Sequence, residues 1–168
     1  MYPRSKKGRL WTVVLLTTLL LSLALLPSQL AYGQVSIGTL ADCARMAFST
    51  EEDFIAHDAA GNIIYVSDGD LLSPDGVICA RNWDLVRAFD VNEDLGLDAV
   101  DVLSVEHNLV AFSTELDSPH GNFTAGDLLA TNGAVLPNEA LVMSFGLYYD
   151  MGLDAVHFVV RDADTAVG

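Results

Sequence analysis

The most metal-like run in the chain is Asp90-Val91-Asn92-Glu93-Asp94-Leu95-Gly96-Leu97-Asp98-Ala99-Val100-Asp101. Calcium loops place oxygen ligands at positions 1, 3 and 5, a glycine at 6 and an acid at 12. Asp90, Asn92, Asp94 and Asp101 fit positions 1, 3, 5 and 12 of that pattern. The glycine falls one place late, at Gly96, and Asp101 stands where a bidentate glutamate is usual. Two readings are open: a calcium site with these four residues as ligands, or a solvated acidic turn that feeds a strand. Calcium is the one cofactor the sequence suggests.

A second set of acids recurs along the chain. Glu51, Asp53, Asp70 and Asp98 have counterparts in Glu115, Asp117, Asp127 and Asp154. Asp70 and Asp127 each precede a leucine pair, where an aspartate commonly caps a turn by accepting backbone N–H bonds. A cation shared between strands is the sharper alternative. Paired carboxylates also serve glycoside hydrolysis, but 23 acids in 168 residues make some close pair inevitable. No nucleophile elbow, zinc-helix motif, phosphate loop or Cys–His pattern is present. The histidines His57, His107, His120 and His157 are scattered, and Asp101 occupies the place of His157 in the other copy. No catalytic residue is assigned. Asn122-Phe123-Thr124 is a glycosylation sequon, relevant only on a eukaryotic secretory route.

These residues are positioned by an internal repeat. Ala47-Phe48-Ser49-Thr50-Glu51 recurs as Ala111-Phe112-Ser113-Thr114-Glu115, and Gly69-Asp70-Leu71-Leu72 as Gly126-Asp127-Leu128-Leu129. Asn82-x-x-Leu85-Val86-x-x-Phe89 recurs as Asn138-x-x-Leu141-Val142-x-x-Phe145, and Gly96-Leu97-Asp98-Ala99-Val100 as Gly152-Leu153-Asp154-Ala155-Val156. The offset drops from 64 to 57 and 56 along the chain, so the first copy carries an insertion of about seven residues around His57 to Asn62. Each copy reads as about four short strands plus a helical turn. Leu109 to Thr114 and Asp98 to Ser104 are apolar runs rich in β-formers, and so is the closing run Asp154 to Val160. Ser73-Pro74-Asp75-Gly76 and Thr131-Asn132-Gly133 supply hairpin turns. Asn82 and Asn138 are of N-cap type, each followed by an apolar stripe at helical spacing. The expected class is all-β, mainly antiparallel: either a sandwich of two copies or a fragment of a propeller-like array.

These blocks resemble a tandem β-repeat found in exported bacterial proteins of unassigned function, over about residues 44–160. The resemblance implies an extracellular repeat module and carries no catalytic residues. The low copy number departs from it.

Arg4, Lys6, Lys7 and Arg9, an apolar run from Leu10 to Leu26, and Ala31-Tyr32-Gly33 read as a signal peptide cleaved after Gly33. A retained anchor is the alternative, since the run is near the lower limit for spanning. Residues 34–168 are then one domain, with copies at about 44–103 and 108–160. In an exported chain Cys43 and Cys79 are expected to pair as a disulfide rather than bind metal. From Gln34 onward four arginines face all 23 acids, a net charge of −19. That charge excludes nucleic acid and anionic membrane surfaces as partners. It also suits adaptation to high salt. The expected function is a secreted, acidic, non-catalytic module that binds an extracellular protein or polysaccharide, with calcium as a stabiliser. An exported glycosidase-like hydrolase is the alternative.

Overall fold

A computed structural model describes residues 34–159; the signal peptide and cleavage site expected within residues 1–33, and Val160 of the expected closing run, fall outside the described residues. The chain forms short strands, mostly in antiparallel sheets, with a few helical turns between them. The fold is therefore all-β, as its alternation of β-formers and turn residues dictates.

In the first copy, β1 (Ser36–Ile37) leads into a single helical turn, α1 (Leu40–Cys43). A hairpin follows, β2 (Phe54–His57) and β3 (Ile63–Val66), and it forms a two-stranded sheet of its own. The residues from His57 to Asn62, where an insertion is expected, make the turn of this hairpin. Asp58 closes its loop, accepting from Ala60 N, Asn62 N and Asn62 Nδ2 at 2.7–2.8 Å. Next come β4 (Leu71–Ser73) and β5 (Val77–Ala80), antiparallel, with β1 beside β5 in the one parallel pairing among the described strands. Phe48 adds to the free side of β4 through reciprocal bonds with Leu72. Helix α2 (Asn82–Val86) continues as a 3-10 turn over Arg87–Phe89.

The largest sheet joins the two copies. It runs β6 (Val100–Ser104), β7 (Leu109–Phe112), β8 (Leu128–Ala130) and β9 (Val135–Leu136) in that spatial order. The β6–β7 register pairs Val100 with Phe112, Asp101 with Ala111 and Val102 with Val110. Asn108, in the left-handed region at φ 49°, turns the chain between them. Gly133 at φ 88° makes the β8–β9 turn, as Gly76 at φ 77° makes the β4–β5 turn. Helix α3 (Asn138–Val142) and a 3-10 turn over Met143–Phe145 close the second copy.

The main core spans both copies, with Leu71, Leu85, Val86, Phe89, Leu95 and Leu97 of the first packed with Val110, Phe112, Phe123 and Leu129 of the second. Phe89 is the hub, meeting Phe112 and Phe123 edge-to-face with centroids 6.3 and 5.2 Å apart. A smaller cluster of Val66, Leu72 and Ile78 lies under the hairpin.

Two expectations need correction. Asn82 and Asn138 are the first helical residues rather than N-caps; the caps are Arg81 and Pro137, with no side-chain cap bond. The asparagine amides are engaged elsewhere, in buried bonds that a solvent-facing cap could not make. The closing strand expected from Asp154 does not form over 154–159, because no neighbouring strand supplies its ladder.

Candidate functional site

Each copy is locked by a buried asparagine and three aspartates. In the first, Asn82 Oδ1 accepts from Leu95 N, while its Nδ2 donates to Gly69 O and Gly96 O. In the second, Asn138 Oδ1 accepts from Met151 N, and its Nδ2 donates to Gly126 O and Gly152 O. Asp70 accepts from Ser67 N and Asn82 N; Asp127 accepts from Thr124 N and Asn138 N. Asp94 accepts from Gly96 N and the Ser67 hydroxyl; Asp150 accepts from Gly152 N and the Thr124 hydroxyl. Asp53 and Asp117 repeat the pattern, accepting from Asp68 N and Ala125 N. Glycine stands at 69 and 126 because a Cβ there would overlap Asn82 and Asp94, or Asp150.

The four residues of the calcium-like series do different things in the fold. Asp90 ends the α2 extension in a left-handed conformation at φ 60°, and Gly146 does the same at φ 79° in the second copy. Asp94 is occupied by the bonds just described. Asp101, on β6, accepts from Phe158 N at 2.7 Å and faces His157 Nδ1 at 3.4 Å. Asn92 is exposed. Among the described residues no group of three or more His, Cys, Asp or Glu is arranged to hold a metal ion. Cys43 and Cys79 form a disulfide, with Cα atoms 6.1 Å apart, that ties α1 to β5.

The repeated acids Glu51, Asp98, Glu115 and Asp154 converge where the copies meet. The pKa of Asp98 is raised by burial, with Asp154 and Glu51 adding repulsion. Glu115 is raised in the same way, by burial first and then by Asp68, Asp98, Glu51 and Asp94. Asp68 is raised by burial, Asp94 and Asp53. The Glu115 Oε1 atom is buried without a hydrogen-bond partner. This junction therefore carries electrostatic strain rather than a satisfied ion pair.

A groove of about 470 Å³ beside the β2–β3 hairpin is built differently in the two copies. Phe54 and Tyr65 from the hairpin and Trp83 from α2 supply aromatic walls; Asp53, Asp70, Asp94 and Arg81 supply polar edges. Tyr65 is 70% exposed and Trp83 59%. Arg81 is anchored by Asp70 and by the Tyr65 carbonyl at 2.8 Å. Glu139 stands in the place of Trp83 in the second copy, and the hairpin has no counterpart there. The groove is built from residues the two copies do not share, and its signal in the sequence is the insertion itself. Compared with known proteins, the chain matches no family model, no curated protein and no solved structure.

Proposed function

We propose that the protein is a secreted, non-catalytic β-repeat module whose first copy binds a neutral extracellular polysaccharide in the hairpin groove. The observation that carries this reading is the pair of exposed rings, Tyr65 and Trp83, lining one groove with carboxylates and Arg81. Sugar rings present apolar faces that stack on aromatic side chains and hydroxyls that donate to carboxylates. The disulfide supports an oxidising compartment. The acidic surface disfavours anionic polymers.

Hydrolysis is the weaker reading, because a general acid must be free to reach the glycosidic oxygen. Asp70 accepts backbone bonds on both oxygens and pairs with Arg81. Asp94 and Asp53 are acceptors as well. All three spend their oxygens on donors of the fold itself.

Affinity electrophoresis through gels containing a neutral glucan, xylan or alginate tests the proposal. A neutral polymer should retard the protein and alginate should not. Trp83→Ala should weaken retardation about tenfold, equivalent to about 1.4 kcal/mol. No retardation by any neutral polymer would overturn the binding reading, and release of reducing ends would establish the hydrolase instead.

A further inference from the structure

The hairpin turns one strand edge toward its own groove. Among the described residues β2 and β3 pair with each other, and the one further bridge, Gln34 with His57, lies on the β2 side. In an antiparallel ladder, pairs that exchange both backbone bonds alternate with pairs whose N–H and C=O point away from the partner strand. Asp58 N donates to Asn62 O at 3.0 Å, which makes that pair a bonded one. Counting along the register from there, Ile64 opposite Ala56 is a bonded pair. Ile63 opposite His57 and Tyr65 opposite Ile55 therefore turn their peptide groups outward. Two bonds from outside the ladder agree with this phase: Val35 N donates to His57 O at 2.9 Å, and Arg81 Nη1 donates to Tyr65 O at 2.8 Å.

Arg81 lines the groove, so the outward side of β3 is the groove side. The Tyr65 carbonyl is taken there, but no bond from outside the ladder reaches Ile63 N or Tyr65 N among the described residues. Two backbone donors thus face the groove with water as their partner. A ligand that covers them must bring acceptors, because a desolvated N–H without one is costly. Around these donors the wall is apolar, built by Phe54, Ile64 and Val66 beside the rings of Tyr65 and Trp83. Asp53 and Asp94 accept from O–H and N–H alike, so they do not choose between sugars. Backbone donors beside an apolar wall do. A hydroxyl that accepts from an N–H must still place its own proton, and it gives the wall nothing to pack. An acetamido group offers a carbonyl oxygen that carries no proton, and a methyl group for the wall. It is also uncharged, as the acidic surface requires.

We infer that the polysaccharide of the hairpin groove is a chain of N-acetylated hexosamines, of the chitin type, whose acetamido carbonyl accepts from the β3 edge while its methyl packs on the apolar wall. This rests on the groove reading and narrows it from neutral polysaccharides in general to one substituent. Donors supplied by the main chain explain why no side chain marks the specificity in the sequence.

The test compares a chitin oligosaccharide with a cello-oligosaccharide of the same length, which differ in acetamido against hydroxyl. Titration calorimetry on the purified chain should show the chitin oligosaccharide binding about tenfold tighter. In the nitrogen-15-labelled chain, the amide protons of Ile63, Tyr65 or both should move downfield and exchange more slowly with the chitin oligosaccharide, and not with the cello-oligosaccharide. Equal affinities would overturn the acetamido assignment and leave the groove reading standing. Tighter binding of the chitin oligosaccharide with both amides unmoved would also overturn it, because the preference would then arise elsewhere. Concentration-dependent broadening of these two amides without sugar would assign the edge to a second copy of the chain, again overturning it. Binding of neither sugar, nor of any neutral polymer, would remove the groove reading itself and this inference with it.

Discussion

Asn82 and Asn138 bind the same three backbone groups in their respective copies: two glycine carbonyls and one N–H that begins the Gly-Leu-Asp-Ala-Val approach. Both side chains are buried. Each amide thus ties two loops to its own helix, using both its donors and its acceptor.

Asn82→Ala should therefore destabilise the protein by about 2–3 kcal/mol, since buried partners are left unsatisfied. Asn138→Ala should cost less, because Met151 and its neighbours lie exposed and water can satisfy the freed groups. Urea unfolding midpoints of the two variants give the comparison. Equal losses would show that the second copy is as tightly closed as the first.

The acidic junction sets a pH dependence. The folded pKa of Glu115 lies above its ordinary 4.5, chiefly through burial and then through neighbouring carboxylates. The native state thus binds more protons than the unfolded state between those two values, so stability falls as pH rises through that window. Asp68 and Asp98 act in the same direction, starting from 3.8. Lowering the pH from neutral toward mildly acid should raise the melting temperature. Glu115→Gln should raise it at pH 7 and flatten the profile. A variant that melts lower at pH 7 would mean that the buried carboxylate is paired in solution.

Much of this arrangement is legible in the sequence, and what is not has a physical reason. Hairpin turns at Gly76 and Gly133 follow from local backbone chemistry, and the buried stripe of Leu85, Val86 and Phe89 from helical spacing. The role of Asn82 does not, because N-cap preference is local whereas its bonds reach 13 and 14 residues away. The alternation of Asp90, Asn92 and Asp94 resembles a ligand series. Asp150 carries the more telling signal: it sits where Asp94 sits, although the rest of the series is replaced by Gly146 and Tyr148. Exposure of Trp83 and Tyr65 depends on how an inserted hairpin folds back, which no periodicity encodes.

Reduction of the disulfide should lower stability by about 3–4 kcal/mol in the chain-entropy model, for a closed loop with a sequence separation of 36. Cys43 and Cys79 are buried in the main core, so the thiols should resist reductant until the protein opens. Melting with and without dithiothreitol after preincubation measures both effects. No change in the melting temperature of the fully reduced protein would show that the core alone holds α1 against β5.

Asp94 separates the two readings of the acidic loop. Its oxygens accept from Gly96 N and the Ser67 hydroxyl, so Asp94→Ala frees a backbone donor and a hydroxyl at the point where the loop meets Asn82. The expected cost is about 1–3 kcal/mol. That cost is structural and should be the same in calcium, magnesium or sodium at matched ionic strength. Asp150→Ala removes the equivalent bonds to Gly152 N and Thr124 in a stretch with no ligand series, and it should destabilise in the same direction. If instead calcium alone raises the wild-type melting temperature, and only Asp94→Ala abolishes that rise while Asp150→Ala keeps it, the loop binds the ion and the turn-capping account of Asp94 fails.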